Sequence, residues 1–212
     1  MNISFYKWGA RFYDRIWRNF TARTHEHIVF NIDFKRPGSQ DQLKYLLDVG
    51  CGTGELELRL VRLHSEIKVI GLDNSQEMLA QARRKLAGNH QVAFVEGDAS
   101  LPLPFSDASF DAVVSANALH YIAQPEKLLV EIKRILKPGG QLVIEDFTVH
   151  GHFFWPIFES LVRLFDSQLY KTYTLTELNQ FVKDAGFTAR ESGSFKIDLW
   201  WHGMFVRATT SV

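Results

Sequence analysis

Gly50-Cys-Gly-Thr-Gly54 places three glycines within five residues, with acids on either side at Asp48 and Glu55. Glycines at this density allow a tight turn and let the backbone approach a ligand closely. A loop of this kind that opens a helix also offers backbone N–H groups to a negative group such as a carboxylate. The flanking acids restrict the ligand further, since they repel a pyrophosphate and attract a cation. Glu55 also occupies the place of the third glycine in the dinucleotide-binding pattern, which argues against a nicotinamide-dependent reductase. Two more acids follow. Asp73 is placed to accept hydrogen bonds from both hydroxyls of a ribose, and Asp98, within Glu96-Gly-Asp-Ala99, suits an exocyclic amine. A glycine trio alone is a common turn; acids at three successive strand ends make the constellation informative.

The elements that position these residues alternate along the chain. Tyr45–Val49 reads as a buried strand, followed by a helix from Glu55 to Leu63 with Leu56, Leu60 and Leu63 on one face. Ile67–Leu72 is a second strand, and Asn74 with Glu77 has the spacing of a capping box for a helix ending near Gly88. Val92–Val95 and Phe110–Ser115 are the next strands. Pro125 opens a helix to Leu136, and Lys137-Pro-Gly-Gly140 turns into a strand at Gln141–Asp146. Strands and helices in strict alternation, with short connections, imply a mainly parallel sheet covered on both faces. Ligands of such sheets bind beyond the carboxyl ends of the strands. The last third departs from this order. Phe153–Phe165 is an apolar helix, and Thr174-Leu-Thr-Glu177 caps a helix that ends at Gly186. Phe187–Glu191 and Phe195–Arg207 read as a hairpin turning at Ser192-Gly-Ser194, which makes the final strand antiparallel.

The 212 residues suffice for one well-buried domain, at 46% hydrophobic and 23% charged. Lys plus Arg and Asp plus Glu number 24 each, so no global basic field exists to hold nucleic acid. The single Cys51 suits a reducing compartment, and no signal peptide or membrane span is evident, which predicts a cytoplasmic protein.

LLDVGCGTGEL, VIGLDNSQEML, FVEGDASLPLPFSDASFDAVVS and ILKPGGQLVIED resemble, in order and separation, the successive motifs of class I S-adenosylmethionine-dependent methyltransferases. The resemblance covers Tyr45 to Asp146 clearly and Thr174 to Arg207 as a pattern. It implies a doubly wound, Rossmann-like α/β fold with a mostly parallel seven-stranded sheet and an antiparallel last strand. One domain then holds an N-terminal helical lid (1–44), a cofactor-binding core (45–146) and acceptor-side helices with a terminal hairpin (147–212). S-adenosylmethionine carries an ammonium and a sulfonium, which suits the acids around the loop; S-adenosylhomocysteine is the product. The resemblance places Asp48, Gly50, Cys51, Gly52 and Gly54 around the methionine part. It puts Asp73 on the ribose, with Asn74 and Met78 against the adenine. Asp98 and Ala99 then address the adenine edge, and Ser115 or Ala116 the methionine amine. Met78 reads equally well as helix packing.

Candidates for a general base stand at strand ends: His120, Asp146 and His150, with Tyr121 and His152 beside them. His120 also reads as a packed residue. His150-Gly-His152 has no acidic or cysteine partner nearby, so no metal is expected. Base-amine methylation of nucleic acid goes with an Asn/Asp-Pro-Pro-aromatic motif, where this chain has Ser115-Ala-Asn-Ala118. A small-molecule or lipid-like acceptor is left, without nucleic acid. On a helix over Ser4–Phe20, Lys7, Arg11, Arg15 and Arg18 oppose Phe5, Trp8, Phe12, Ile16 and Phe20. That pattern fits a pocket lid or a peripheral membrane contact. Phe153-Phe-Trp-Pro-Ile-Phe158 is either core or the wall of a pocket for a large apolar acceptor, such as a quinone precursor. A non-catalytic cofactor-binding protein, regulatory or for assembly, is the alternative reading.

Overall fold

A computed structural model describes residues 14–35, 43–148, 169–198 and 201–211. Its described strands are β1 (Tyr45–Val49), β2 (Lys68–Asp73), β3 (Val92–Glu96), β4 (Phe110–Ala116), β5 (Leu136–Thr148), β6 (Thr188–Lys196) and β7 (His202–Thr209). Its described helices are α1 (Arg18–Asn31), α2 (Glu55–Leu63), α3 (Gln76–Lys85), α4 (Pro125–Ile135) and α5 (Leu175–Asp184). The strands form one sheet in the order β3-β2-β1-β4-β5-β7-β6. All neighbours up to β5 are parallel, whereas β7 runs antiparallel to both β5 and β6. The expected sheet is therefore present, with its last strand reversed.

Side-chain alternation along the central strands splits the core in two. Leu46 joins Ile28 of α1 and Leu56 and Leu60 of α2 on one face. Leu47 and Val49 join Leu129 and Ile132 of α4 and Leu178 of α5 on the other. Four of the five β1 side chains are buried, as a strand covered on both faces requires. Each leucine so enclosed contributes about 1.5–3 kcal/mol.

Several local expectations hold and others are corrected. The Thr174–Glu177 capping box is formed, and Gly186 stops α5 with φ +77°. Pro125 occupies the first turn of α4. The cap of α3 is Ser75, not Asn74: the Ser75 hydroxyl accepts the Met78 N–H. The reason is the turn before it, where Asp73 Oδ1 accepts the Ser75 N–H and holds residue 74 outside the helix. Leu63 is exposed, and α2 instead buries Leu56, Glu57, Leu60 and Val61. β5 begins five residues early, with Leu136 paired to Phe110 before a register shift. Residues 14–16 are helical but the chain bends at Trp17, so the helix drawn over Ser4–Phe20 is not continuous; its first ten residues, like Phe153–Phe165, lie outside the described residues.

β6 runs on to Lys196 and β7 begins at His202, so Ser192-Gly-Ser194 lies inside β6. Gly193 faces Phe205 and Gly203 faces Phe195 across the two strands. A side chain on either glycine would meet the opposing ring. Both glycines are strand positions covered by aromatic neighbours, although Gly193 reads as part of a turn. We expect Gly203→Val to force the Phe195 ring aside and cost about 1–3 kcal/mol, measured as a lower urea midpoint; an unchanged midpoint refutes this packing.

Two contacts tie α1 to the sheet. Thr24 Oγ1 accepts from Asn117 Nδ2 at 3.0 Å, and His27 Nδ1 meets Glu145 Oε2 at 2.9 Å under a stacked Phe195 ring. Burial, then the neighbouring Asp146 charge, pushes Glu145 up to about 10, while burial lowers His27. Both are neutral near pH 7, so the carboxylic acid donates to the imidazole. A raised native value means that stability falls as pH climbs from the ordinary carboxylate range toward 10. Glu145→Gln, which stays neutral, should flatten the decline in urea midpoint between pH 6 and 9; parallel declines in both proteins would sink the assignment.

Candidate cofactor and active site

The glycine loop is hooked onto the neighbouring strand. Gly50 and Cys51 N–H groups both donate to the Leu72 carbonyl, at 2.7 and 3.1 Å. Gly50 has φ +83° and its α-carbon faces Ala118 so closely that no side chain fits. Gly52 has φ +53°, and the space where a side chain would stand is open. Its N–H donates to Asp73 Oδ2 at 2.8 Å. The Asp73 carboxylate thus joins the turn after β1 to the turn that caps α3. Gly54 packs against Ala82 and Phe94, which lets α2 approach α3 and β3.

A cleft runs across these strand ends. Gly50, Cys51 and Gly52 form its floor; Asp73, Asn74 and Met78 line one side, continuing to Asp98 and Ala99. Ser115 and Ala116 line it from β4. Ten of the expected cofactor residues therefore share one wall. Asp48 and Gly54 sit behind the loop instead. Met78 is at once 3% exposed and part of the wall, so its two readings describe one position. Asp73 already accepts two backbone N–H bonds, and Asp98 Oδ1 accepts the Ser100 N–H, yet each carboxylate keeps lone pairs for a ligand. The Ser115 hydroxyl donates to the Val49 carbonyl, so its side chain steadies the loop.

Two buried acids lie behind the floor. Asp48 and Glu57 are both buried, and Asp48 Oδ1 and both Glu57 carboxyl oxygens find no partner among the described residues. Burial pushes both carboxyls up, and Asp73 adds to the effect on Asp48, as Asp48 does on Glu57. Burial and the same acids hold the Cys51 thiol protonated and inert. Glu57 escaped the sequence reading; an acid between Leu56 and Leu60 on the buried face of an amphipathic helix was its only signal. The open space at Gly52 and the Asp73 and Asp98 carboxyls on the cleft wall suit a ligand that carries an ammonium and a sulfonium.

The helical segments before β1 supply what sequence spacing could not show. Asp14, Thr21 and His25 close the cleft above the loop. Asp14 accepts from Lys85 Nζ at 2.7 Å and from the Thr53 hydroxyl, and Lys85 also pairs with Glu55. On the opposite side Asn117, Tyr121 and Ile122 complete the wall.

His120 and Asp146 meet, but not on that wall. His120 is 5% exposed, with Nδ1 2.7 Å from Asp146 Oδ1. Asp146 is fully buried and also accepts the His120 and Phe147 backbone N–H groups. The pair anchors the short 3-10 turn Leu119–Tyr121, whose Tyr121 faces the cleft. His150 and His152 lie outside the described residues. No cluster able to hold a metal occurs among the described residues.

Residues 47–144 match a family model described as a methyltransferase domain. A demethylmenaquinone methyltransferase of Thermus thermophilus is 46% identical over 105 residues, 49% of this chain and 47% of that protein. The ubiquinone/menaquinone biosynthesis C-methyltransferase UbiE of Cronobacter sakazakii is 32% identical over 179 residues, 81% of this chain and 62% of that one. The chain thus spans about half to two thirds of the length of these relatives. A methyltransferase of Haloferax volcanii, solved in complex with the activator Trm112, matches at TM-score 0.80 and 23% identity, covering both chains fully. Motifs, strand order, cleft and these likenesses converge: residues 47–144 match a methyltransferase domain, and the chain is similar to the class I S-adenosylmethionine-dependent methyltransferases.

Proposed function

We propose that the protein transfers the methyl group of S-adenosylmethionine to a small apolar acceptor of the quinone-precursor class. The observation that carries this reading is the cleft over Asp48, Glu57 and Asp73, acidic beneath the loop and open at Gly52. A nicotinamide dinucleotide would set its pyrophosphate against those acids.

S-adenosylmethionine, when bound, supplies a sulfonium methyl already activated for a single in-line displacement. The chain's part is placement. Gly50, Cys51, Gly52, Ser115 and Ala116 would enclose the methionine part, Asp73 would hold the ribose, and Asp98 with Ala99 would meet the adenine edge. Tyr121 and Ile122 would align the acceptor, and alignment alone can supply several kcal/mol, up to about 7–11, of a barrier. Asp146 orients the His120 imidazole through Nδ1 and leaves Nε2 as the basic nitrogen, so this pair is the candidate for receiving an acceptor proton. His150 stays a candidate by position in the sequence.

An apolar acceptor is supported by the aromatic cluster of Trp17, Phe20, Phe147 and Trp201, whose neighbouring rings stand 5.4–6.4 Å apart. Phe147 also lies 4.5 Å from the His120 ring. Residues 1–44 would act as lid, 45–146 as cofactor core and 147–212 as acceptor side, in a cytoplasmic protein whose residues 4–20 can touch a membrane surface. No described helix is long and apolar enough to cross one.

Methyl-labelled cofactor, incubated with protein and cell extract, should place label in the organic phase, at least tenfold less with Asp73→Asn. Label confined to the aqueous small-molecule fraction would overturn the apolar acceptor. Absence of transfer alongside S-adenosylhomocysteine binding would overturn the enzyme.

A further inference from the structure

On the face of the sheet that α2 covers, registered neighbours on four strands form a row: Phe94 of β3, Gly71 of β2, Asp48 of β1 and Val114 of β4. Side chains in such a row point to the same face. Gly71 has none, and a Cβ there would stand 2.5 Å from Glu57 Oε1 and 2.8 Å from both Cys51 Sγ and Phe94 Cδ1. The glycine thus leaves a socket beside Asp48, and α2 fills it with the fully buried Glu57 carboxyl. The buried face of an amphipathic helix calls for an apolar residue at this position; the chain has an acid.

These two carboxyls need a proton between them. With both ionised, Asp48 Oδ1 and both Glu57 oxygens are buried acceptors with no donor. A proton on one member supplies the hydrogen bond that joins Asp48 to Glu57. Burial raises the proton affinity of both; Asp73 adds to it at Asp48, and Asp48 adds to it at Glu57. Among the surrounding groups, Asp73 at the end of β2 opposes ionisation and Lys85 at the end of α3 assists it. The Cys51 thiol stays protonated, and burial, then Arg59 and Lys85, lower the His25 imidazole of α1 to about 3, so it is neutral. Strands β3 and β4 present only Phe94 and Val114 to the row.

The pair lies within electrostatic reach of the cleft. Cys51, whose sulfur borders the socket, forms part of the cleft floor, and the Asp73 carboxylate that acts on Asp48 lines the wall. A positive charge in the cleft acts in the opposite sense to Asp73 and favours loss of the proton.

We infer that Asp48 and Glu57 act as one proton-sharing pair that distinguishes S-adenosylmethionine from S-adenosylhomocysteine by the charge on sulfur. The inference rests on the methyltransferase reading above. When the sulfonium binds, the pair gives a proton to solvent, and its new negative charge stabilises the ligand. In the transfer the acceptor bonds to the methyl carbon, the S–CH3 electron pair stays on sulfur, and the sulfide left behind is neutral. The pair then takes a proton back from solvent, and the product loses that attraction. Affinity for the sulfonium ligand therefore rises with pH between the pair's lower, ligand-bound proton affinity and its higher, free one, whereas affinity for the sulfide does not.

Calorimetric titration of the full chain in two buffers of different ionisation heat counts the protons released per ligand bound. At about pH 7.5, S-adenosylmethionine should release more protons than S-adenosylhomocysteine. Its affinity relative to S-adenosylhomocysteine should rise roughly three- to tenfold between about pH 6.5 and 8.5. Glu57→Gln, neutral and nearly the same shape, should erase both differences. Asp48→Asn should do the same from the other side of the pair, and serves if Glu57→Gln does not fold. Equal release with both ligands would mean that the pair answers to occupancy of the cleft and not to the sulfonium. A difference that survives in the variants would place the titrating group elsewhere; either result overturns the inference. If the native protein bound neither ligand, the methyltransferase reading itself would fall.

Discussion

The Asp73 carboxylate is the junction on which the site depends. One oxygen accepts the Gly52 N–H and the other the Ser75 N–H, so a single side chain at the end of β2 holds the loop after β1 and the cap of α3. Charge-assisted bonds to backbone N–H groups are among the stronger hydrogen bonds available to a folded chain. They compensate a carboxylate whose burial raises its affinity for a proton. Without them the loop would lose the conformation in which Gly52 stays open, and the helix behind it would lose its start.

That junction stands in front of two further buried acids, and the arrangement is costly. The buried carboxyls of Asp48 and Glu57 are held near neutrality by taking up protons more readily, which is how a fold tolerates such groups. A cationic ligand restores the compensation that the protein alone lacks. Ligand binding and fold stability are thus linked through the same carboxyls, since a cation beside the loop favours their ionised forms.

Helix α1 enters this scheme from outside the sheet core. Its Ile28 packs into the face shared with α2, while Thr24 and His27 reach polar groups at Asn117 and Glu145. Glu145 and Asp146 are successive residues of β5 and point to opposite faces, one toward α1 and one toward the His120 turn. A short stretch of strand therefore holds both α1 and the Leu119–Tyr121 turn.

Much of this was legible in the residues alone. The glycine loop, the acids at three strand ends, the alternation of elements and the reversed last strand follow from local rules: glycine conformation, side-chain period and helix capping act over a few residues. The strand character of Ser192-Gly-Ser194 and the burial of Glu57 were decided by neighbours distant in sequence: by Phe205 across the hairpin, or by the layer that α2 covers. His25 and Asn117 stand further still from any local pattern, 92 residues apart. Local chemistry determined which elements form and where a ligand's charge belongs. Only packing, which brings together groups that no spacing relates, decided which side chains face that ligand and which merely hold the wall.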